Sequence, residues 1–264
     1  MNSRNDKPDL VFLLEKVKNI AVDAGRIIMD IYQSDFSDTI KSKKDKSPVT
    51  IADKKANDFI VAQLHNISPD IPVIAEESLQ IDYKDRMNFK YFWLVDPLDG
   101  TKEFINKNGD FTVNIALIEK DSPVLGVVFV PVGNKLYWAY RGGKSFMKIS
   151  SKIEKISVSK HENDKTRILL SRSHLDKKTI EYLRNFDNPT VNYRGSALKF
   201  LLIAEGLADL YFRFTPTMEW DTAASHIILK EAGGNIFDID SGLELKYNKT
   251  SLVNPGFIAK PVIT

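Results

Sequence analysis

Residues 91–104 read YFWLVDPLDGTKEF, an apolar run that ends in two aspartates, Asp96 and Asp99, three positions apart. Pro97 fixes its own φ and biases Asp96 toward an extended conformation, so the stretch predicts a strand running up to the first carboxylate. Asp99-Gly100 is a turn pair in which the glycine can take positive φ and let a ligand approach the backbone. Such a turn lets Asp96, Asp99 and the carbonyl of Leu98 face one small space. Thr101 is expected to be the N-cap of a helix whose first amides, at Gly100 and Thr101, point outward and suit a phosphate. Two carboxylates facing one space repel unless one is protonated or a cation intervenes. The chain has no cysteine, and oxygen ligands without a histidine pair favour a hard cation, magnesium or manganese. Asp-x-x-Asp alone also suits a turn whose aspartates only cap and hydrogen-bond locally, so the motif needs partners.

Three further acids supply them. VIAEES, residues 73–78, ends a short strand in Glu76 and Glu77, where a sheet edge can present a carboxylate. PTMEWDTAASH, residues 216–226, puts Asp221 near the start of a helix rich in small residues. There an acid also complements the helix dipole. In SPVTIAD, residues 47–53, Thr50 is an expected N-cap and Asp53 the third residue of a capping box.

The surrounding pattern sets a frame for these motifs. Leu13, Val17, Ile20, Ala24, Ile27 and Ile31 recur at three and four, which predicts an amphipathic helix over 9–32. A second helix follows from Thr50. Short β-like runs lie at 72–75, 91–95, 112–118, 124–130 and 136–140. Beyond Ser150 the pattern gives a strand at 167–171, a helix from about 176, one over 196–205, a strand at 208–213 and a helix over 220–232. Strands clustered between flanking helices predict a layered α/β (α+β) fold with mixed or antiparallel sheets. One domain, 1–264, is expected, with lobes of about 1–155 and 156–264 meeting at SSKIEKISVSKHENDK.

Composition excludes several classes. With 37 basic and 35 acidic residues the net charge is +2, too small for a nucleic-acid or membrane coat. The cluster Lys41, Lys43, Lys44 and Lys46 reads as a solvated loop or as steering for an anionic substrate. The polar start and the lack of a long apolar run predict no signal peptide and no membrane span, hence a cytoplasmic protein. RGGKSF, residues 141–146, is no P-loop, because the position five before Gly143 is Trp138. His65, His161, His174 and His226 lack zinc-ligand spacing and suit surface or local hydrogen-bonding roles.

Taken in order, EES, DPLDGTKEF and WDTAA resemble the inositol monophosphatase superfamily of magnesium-dependent, lithium-sensitive sugar and nucleotide phosphatases. The resemblance runs from SPVTIAD to the terminal NPGF. Lys102-Glu103 and GSALKFLLIAEGLADLYFRF are similar to its bisphosphate nucleotidase branch, which serves sulfur assimilation. The resemblance implies an αβαβα sandwich and hydrolysis of the 3'-phosphate of adenosine 3',5'-bisphosphate to AMP, with the 3'-phosphoadenylyl sulfate analogue as a further substrate. It implies two or three magnesium ions, replaceable by manganese, on Glu76, Asp96, Asp99, Asp221 and the Leu98 carbonyl. Gly100 and Thr101 would contact the scissile phosphate, and Asp53 would pair with Thr101 to orient or deprotonate water. Ser196, Lys199, Arg213 and His174 fall where nucleotidases contact the rest of the nucleotide, Ser196 and Lys199 on one side of a helix. The partner implied is a small nucleotide bisphosphate, not a nucleic acid, met by a monomer or homodimer that can associate peripherally with the inner membrane. The rival readings are an inositol or sugar phosphatase of the same superfamily and a noncatalytic, metal-dependent nucleotide-binding protein.

Overall fold

The structure, a computed structural model, describes residues 7–34, 40–42, 48–159 and 165–262; of the basic cluster, Lys43, Lys44 and Lys46 lie outside these, as does His161. The strand that carries Asp96 shows where the layers are. Every residue from Phe92 to Leu98 is buried, Phe92 and Leu94 in one hydrophobic cluster, Trp93 and Val95 in another. A strand apolar on both faces is an inner layer and must be covered twice.

In chain order the first elements are α1 (Leu10–Tyr32), β1 (Lys41–Ser42), β2 (Pro48–Val49), α2 (Ile51–Ile67), β3 (Val73–Ala75), α3 (Tyr83–Arg86), β4 (Tyr91–Asp99) and α4 (Thr101–Ile105). A run of strands follows: β5 (Thr112–Glu119), β6 (Ser122–Val130), β7 (Lys135–Tyr140), β8 (Ser145–Ile149) and β9 (Lys152–Ile156). Then come β10 (Arg167–Ser171), α5 (Lys177–Leu183), β11 (Thr190–Arg194), α6 (Leu198–Ala204), β12 (Leu210–Arg213), β13 (Thr217–Met218) and α7 (Glu219–Glu231). The last are β14 (Gly234–Asp238), β15 (Val253–Asn254) and β16 (Phe257–Pro261).

β3 to β9 form one seven-stranded sheet in sequence order, antiparallel except for the parallel pair β3 and β4. β11-β10-β12-β16-β14 form a five-stranded sheet whose first three strands are parallel. α1 and α2 cover one face of the larger sheet, packing Leu14, Val17, Ala24 and Ile60 on Trp93, Val113, Ile115 and Val127. Its other face meets α6 and α7, where Phe92, Leu94, Ala116 and Val128 share a cluster with Leu201, Ala224, Ile227 and Ile228. The same cluster takes in Leu169, Tyr211, Ile236 and Ala259 of the smaller sheet. The far face of that sheet, Ile168, Leu170, Leu210 and Phe212, packs on Tyr182, Leu183 and Phe186 of and beside α5. The order is therefore αβαβα, as the resemblance implied.

Local chemistry explains the helix starts. Asp9 accepts from the amides of Val11 and Phe12, both at 3.0 Å, and opens α1. At α2 the predicted capping box is complete: Thr50 Oγ1 accepts from Ala52 N at 3.1 Å and Asp53 Oδ2 from Thr50 N at 2.7 Å. The glycines of RGGKSF make a turn whose amides, at Gly142 and Lys144, donate to the Glu231 carboxylate at 2.8 and 3.1 Å. Strands β1, β2, β8, β9, β11, β13, β14, β15 and β16 have no counterpart in the sequence expectation. β9 and β11 are outer strands of their sheets and carry charged or exposed residues that blur any alternation.

Candidate active site

Strand ends from both sheets converge on one cavity. β3 and β4 run parallel, so their carboxyl ends deliver Glu76 and Asp96 side by side, and Glu76 N donates to Val95 O at 3.1 Å. β4 does not stop at Asp96; an irregularity between Asp96 and Asp99 carries it across Pro97 to Asp99. Gly100 then takes φ 93° as N-cap of α4, and the Asp110 carbonyl lies 3.0 Å from where a Cβ would stand. A side chain there would be strained twice over. Thr101 is thus the first residue of α4, not its cap as the sequence suggested. In the smaller sheet, parallel β10, β11 and β12 deliver Ser173 and His174, Gly195 and Ser196, and Arg213 from their carboxyl ends. Ligands commonly bind outside such ends in parallel sheets. α7 supplies Asp221 from its first turn.

The cavity holds about 360 Å³. Glu76, Asp96, Leu98, Asp99, Gly100, Thr101, His174, Ser196, Arg213 and Asp221 all line it, so the structure brings together the three sequence motifs. One end is acidic. Burial pushes the Asp96 carboxyl well up, and the charges of Glu76, Asp99 and Asp221 push it further. Asp221 is raised in the same way, by burial and then by Asp99 and Glu76. Burial also raises Asp99, although Lys199, Ser196, Asn114 and Arg213 pull it back.

The donor set fits a hard cation. It is oxygen only, buried and mutually repelling, which is the arrangement a divalent ion relieves. Each aspartate spends an oxygen on a neighbour: Asp96 Oδ1 accepts from Leu98 N at 3.0 Å, Asp221 Oδ2 from Met218 N at 2.9 Å and Asp99 Oδ2 from Asn114 Nδ2 at 3.3 Å. Among the described residues no group of three or more His, Cys, Asp or Glu side chains is arranged so that it could hold a metal ion. An ion that keeps water and takes substrate oxygens needs no group of that size, and magnesium is usually held by one or two carboxylates in this way.

Two predicted residues do not line the cavity. Asp53 is 1% exposed and reaches the site through Thr101, whose hydroxyl donates to Asp53 Oδ1 at 2.9 Å. Burial raises the Asp53 carboxyl, partly offset by hydrogen bonds from Thr50 and Thr101. Lys199 is 2% exposed and turns back to donate to Ser196 O at 2.6 Å and Arg194 O at 3.2 Å. Ser196 stands before α6 with φ 53°, so the shared helical face expected for Ser196 and Lys199 does not exist. Burial brings the Lys199 ammonium down to about 7, against the pull of Asp99. Lys199 holds the turn behind the wall instead of lining it.

The opposite end is basic and polar. Arg213 is braced by Nε donation to Thr215 Oγ1 at 2.9 Å and by Pro216 O at 3.3 Å from its terminal nitrogen. His174 is held down to about 4 by burial, then by Arg213, Lys102 and Lys199, so it is uncharged at neutral pH. Ser173, Glu103, Tyr211, Phe200 and Phe257 also line the cavity and were not singled out for it. Ser173 could have been found as the neighbour of His174. The aromatics look like ordinary core residues in sequence, and each is nearly buried.

A family model described as the inositol monophosphatase family matches residues 11–261. The chain is 44% identical over 246 residues to the 3'(2'),5'-bisphosphate nucleotidase CysQ of Salmonella typhimurium, covering 93% of this chain and 98% of that one. It is 43% identical to the CysQ of Escherichia coli K12 over the same shares. The crystal structure of CysQ from Bacteroides thetaiotaomicron superposes with a TM-score of 0.84 at 38% identity, over 97% of this chain and 99% of that one.

Proposed function

The chain belongs to the inositol monophosphatase family and is a 3'(2'),5'-bisphosphate nucleotidase, and from that premise we propose which phosphate it removes and which residues do so. The substrate is adenosine 3',5'-bisphosphate, hydrolysed at its 3'-phosphate to AMP and phosphate; 3'-phosphoadenylyl sulfate is the second candidate. The family is metal-dependent, and we assign magnesium, two or three ions, to Glu76, Asp96, Asp99, Asp221 and the Leu98 carbonyl. Bound there, magnesium would activate water and offset charge on the transferring phosphoryl group.

The chain's own groups do the rest. Gly100 and Thr101 line the cavity beside Asp99 and would meet the scissile phosphate there. Thr101 passes a proton from the attacking water to Asp53, whose carboxyl burial has made a better base than an exposed one. Arg213, pre-aimed by the 215–216 carbonyls, takes the phosphate that is not cleaved with a forked contact. Among the described residues no helix is long and apolar enough to cross a membrane, and we place the enzyme in the cytoplasm. We divide it into lobes of about 1–155 and 156–264, the first supplying most of the acidic wall and the second the basic one.

One observation carries this reading: the acidic cluster and Thr101, with Asp53 hydrogen-bonded behind it, share a cavity with a braced Arg213. A guanidinium held there suits a second phosphate, beyond the one at the acidic end. The test is phosphate release from adenosine 3',5'-bisphosphate and from inositol 1-phosphate, with and without magnesium. Preference for the nucleotide that vanishes on chelation is expected; equal or better turnover of inositol 1-phosphate would overturn it.

A further inference from the structure

Asp110 lies outside the active-site cavity, between α4 and β5, yet the basic wall hangs from it. Its side chain is 9% exposed. Asp110 Oδ2 accepts from Gly195 N at 3.0 Å and pairs with Arg172 at 2.9 Å, while Oδ1 lies 3.7 Å from Arg194. The approach is close enough to dictate sequence: a Cβ on Gly195 would stand 2.7 Å from the Asp110 carbonyl oxygen and 2.9 Å from the Asp110 Cβ. Arg172 precedes Ser173 and His174, and Gly195 precedes Ser196, so the groups that Asp110 grips are the chain neighbours of cavity-lining residues. Arg172 N also donates to Arg194 O at 3.2 Å, tying the two segments to each other. Glu103 reinforces the grip, accepting from Ser173 Oγ and lying 3.7 Å from Arg172.

We propose that Asp110 is a positioning residue for the half of the substrate that is not cleaved: from the α4–β5 connection, outside the cavity, it fixes the 172–174 and 194–196 segments that form the basic wall. The inference rests on the nucleotidase reading above. A buried carboxylate that accepts from an amide and pairs closely with a guanidinium is costly to remove, because Gly195 N loses its acceptor and Arg172 its nearer acid. What moves then is the wall that meets the second phosphate and the base. The metal ligands Asp96 and Asp99 keep their own contacts with Leu98 and Asn114.

The test compares Asp110→Ala and Asp110→Asn with the unaltered enzyme on adenosine 3',5'-bisphosphate. Turnover by the unaltered enzyme is read first; its absence would defeat the nucleotidase reading itself, before any variant is compared. In Asp110→Ala the KM should rise about tenfold or more, the size of one lost charged hydrogen bond. The kcat should stay within about threefold and the magnesium concentration for half-activation should not move. Asp110→Asn keeps an acceptor for Gly195 N and should fall between the two. An unchanged KM in the alanine variant, a shifted magnesium requirement, an asparagine variant no better than alanine, or loss of turnover in both variants would overturn the proposal.

Discussion

Thr101 donates its hydroxyl hydrogen to Asp53 Oδ1 at 2.9 Å across 48 residues of sequence, while Asp53 Oδ2 accepts from Thr50 N. One carboxylate thus closes the start of α2 with one oxygen and faces the site with the other. Thr101→Ala should lower kcat about 10²- to 10⁴-fold, the usual worth of general-base assistance, with little change in Tm. Asp53→Ala should lose kcat and also about 1 kcal/mol of stability, the worth of a cap. Paired turnover and melting measurements separate the two; a Thr101→Ala enzyme of normal kcat would remove the proton relay.

Asp96→Asn keeps the side-chain shape and removes a buried charge that Glu76, Asp99 and Asp221 oppose. Magnesium-dependent turnover should be abolished. In chelator, the Tm should stay equal or rise, since mutual repulsion is relieved. Titrating magnesium against activity and against Tm checks both; near-normal turnover at ordinary magnesium would sink the assignment of Asp96 as a ligand.

Arg213→Ala should raise the KM for adenosine 3',5'-bisphosphate about tenfold, as loss of a charge-assisted contact of ~1.5–3 kcal/mol implies. The side chain is held by Thr215 and Pro216, which are loop groups, so the fold should tolerate the change. Hydrolysis of inositol 1-phosphate, measured in parallel, should barely alter. Equal losses on both substrates would mean structural damage.

Stability should fall below neutral pH through His226. The ring is fully buried, with Nε2 2.6 Å from Asn235 Oδ1 and Nδ1 2.9 Å from the Tyr247 hydroxyl. Ile236 N also donates to Asn235 Oδ1, which makes that oxygen the acceptor and puts the ring hydrogen on Nε2. Burial lowers the imidazole from 6.5 to about 4, outweighing Asn235 and Glu244, which favour the charged form. Because the folded value is the lower one, the unfolded chain binds the proton first. Stability is therefore full above about 6.5 and declines as pH falls toward 4, by on the order of 3 kcal/mol at most. Urea midpoints across that window should slope less for His226→Gln than for the native chain, with His174, which is lowered in the same direction, keeping part of the slope.

Local chemistry was legible in the sequence wherever one residue decides it. Gly100 foretold the turn, Thr50 and Asp53 the capping box, and the spacing of Leu13 to Ile31 the first helix, although β4 runs on across Pro97 where the sequence suggested a stop. Long-range placement was not. A lysine is ordinarily exposed, so nothing at Lys199 announces that it will be buried against the carbonyls of Arg194 and Ser196. Ser173, Tyr211 and Phe257 join the site only because strands distant in sequence end together, and β16 gives no alternation strong enough to reveal its place between β12 and β14. The order of the three acidic motifs carried the resemblance; the contacts behind them had to be seen.

α7 comes late in the chain, yet it packs on β4 to β7 of the large sheet as well as on β14 of the small one. Its buried residues run almost unbroken from Glu219 to Leu229. Neither sheet alone can cover a helix apolar on so many sides. If the chain were cut between β9 and β10, each fragment would expose half of the central layer, and the two should recover structure and activity only when mixed. In the intact protein the same arrangement makes unfolding one event rather than two. It also delays Asp221, at the head of α7, until both sheets have met, so during synthesis the cavity can form only after α7 itself has emerged.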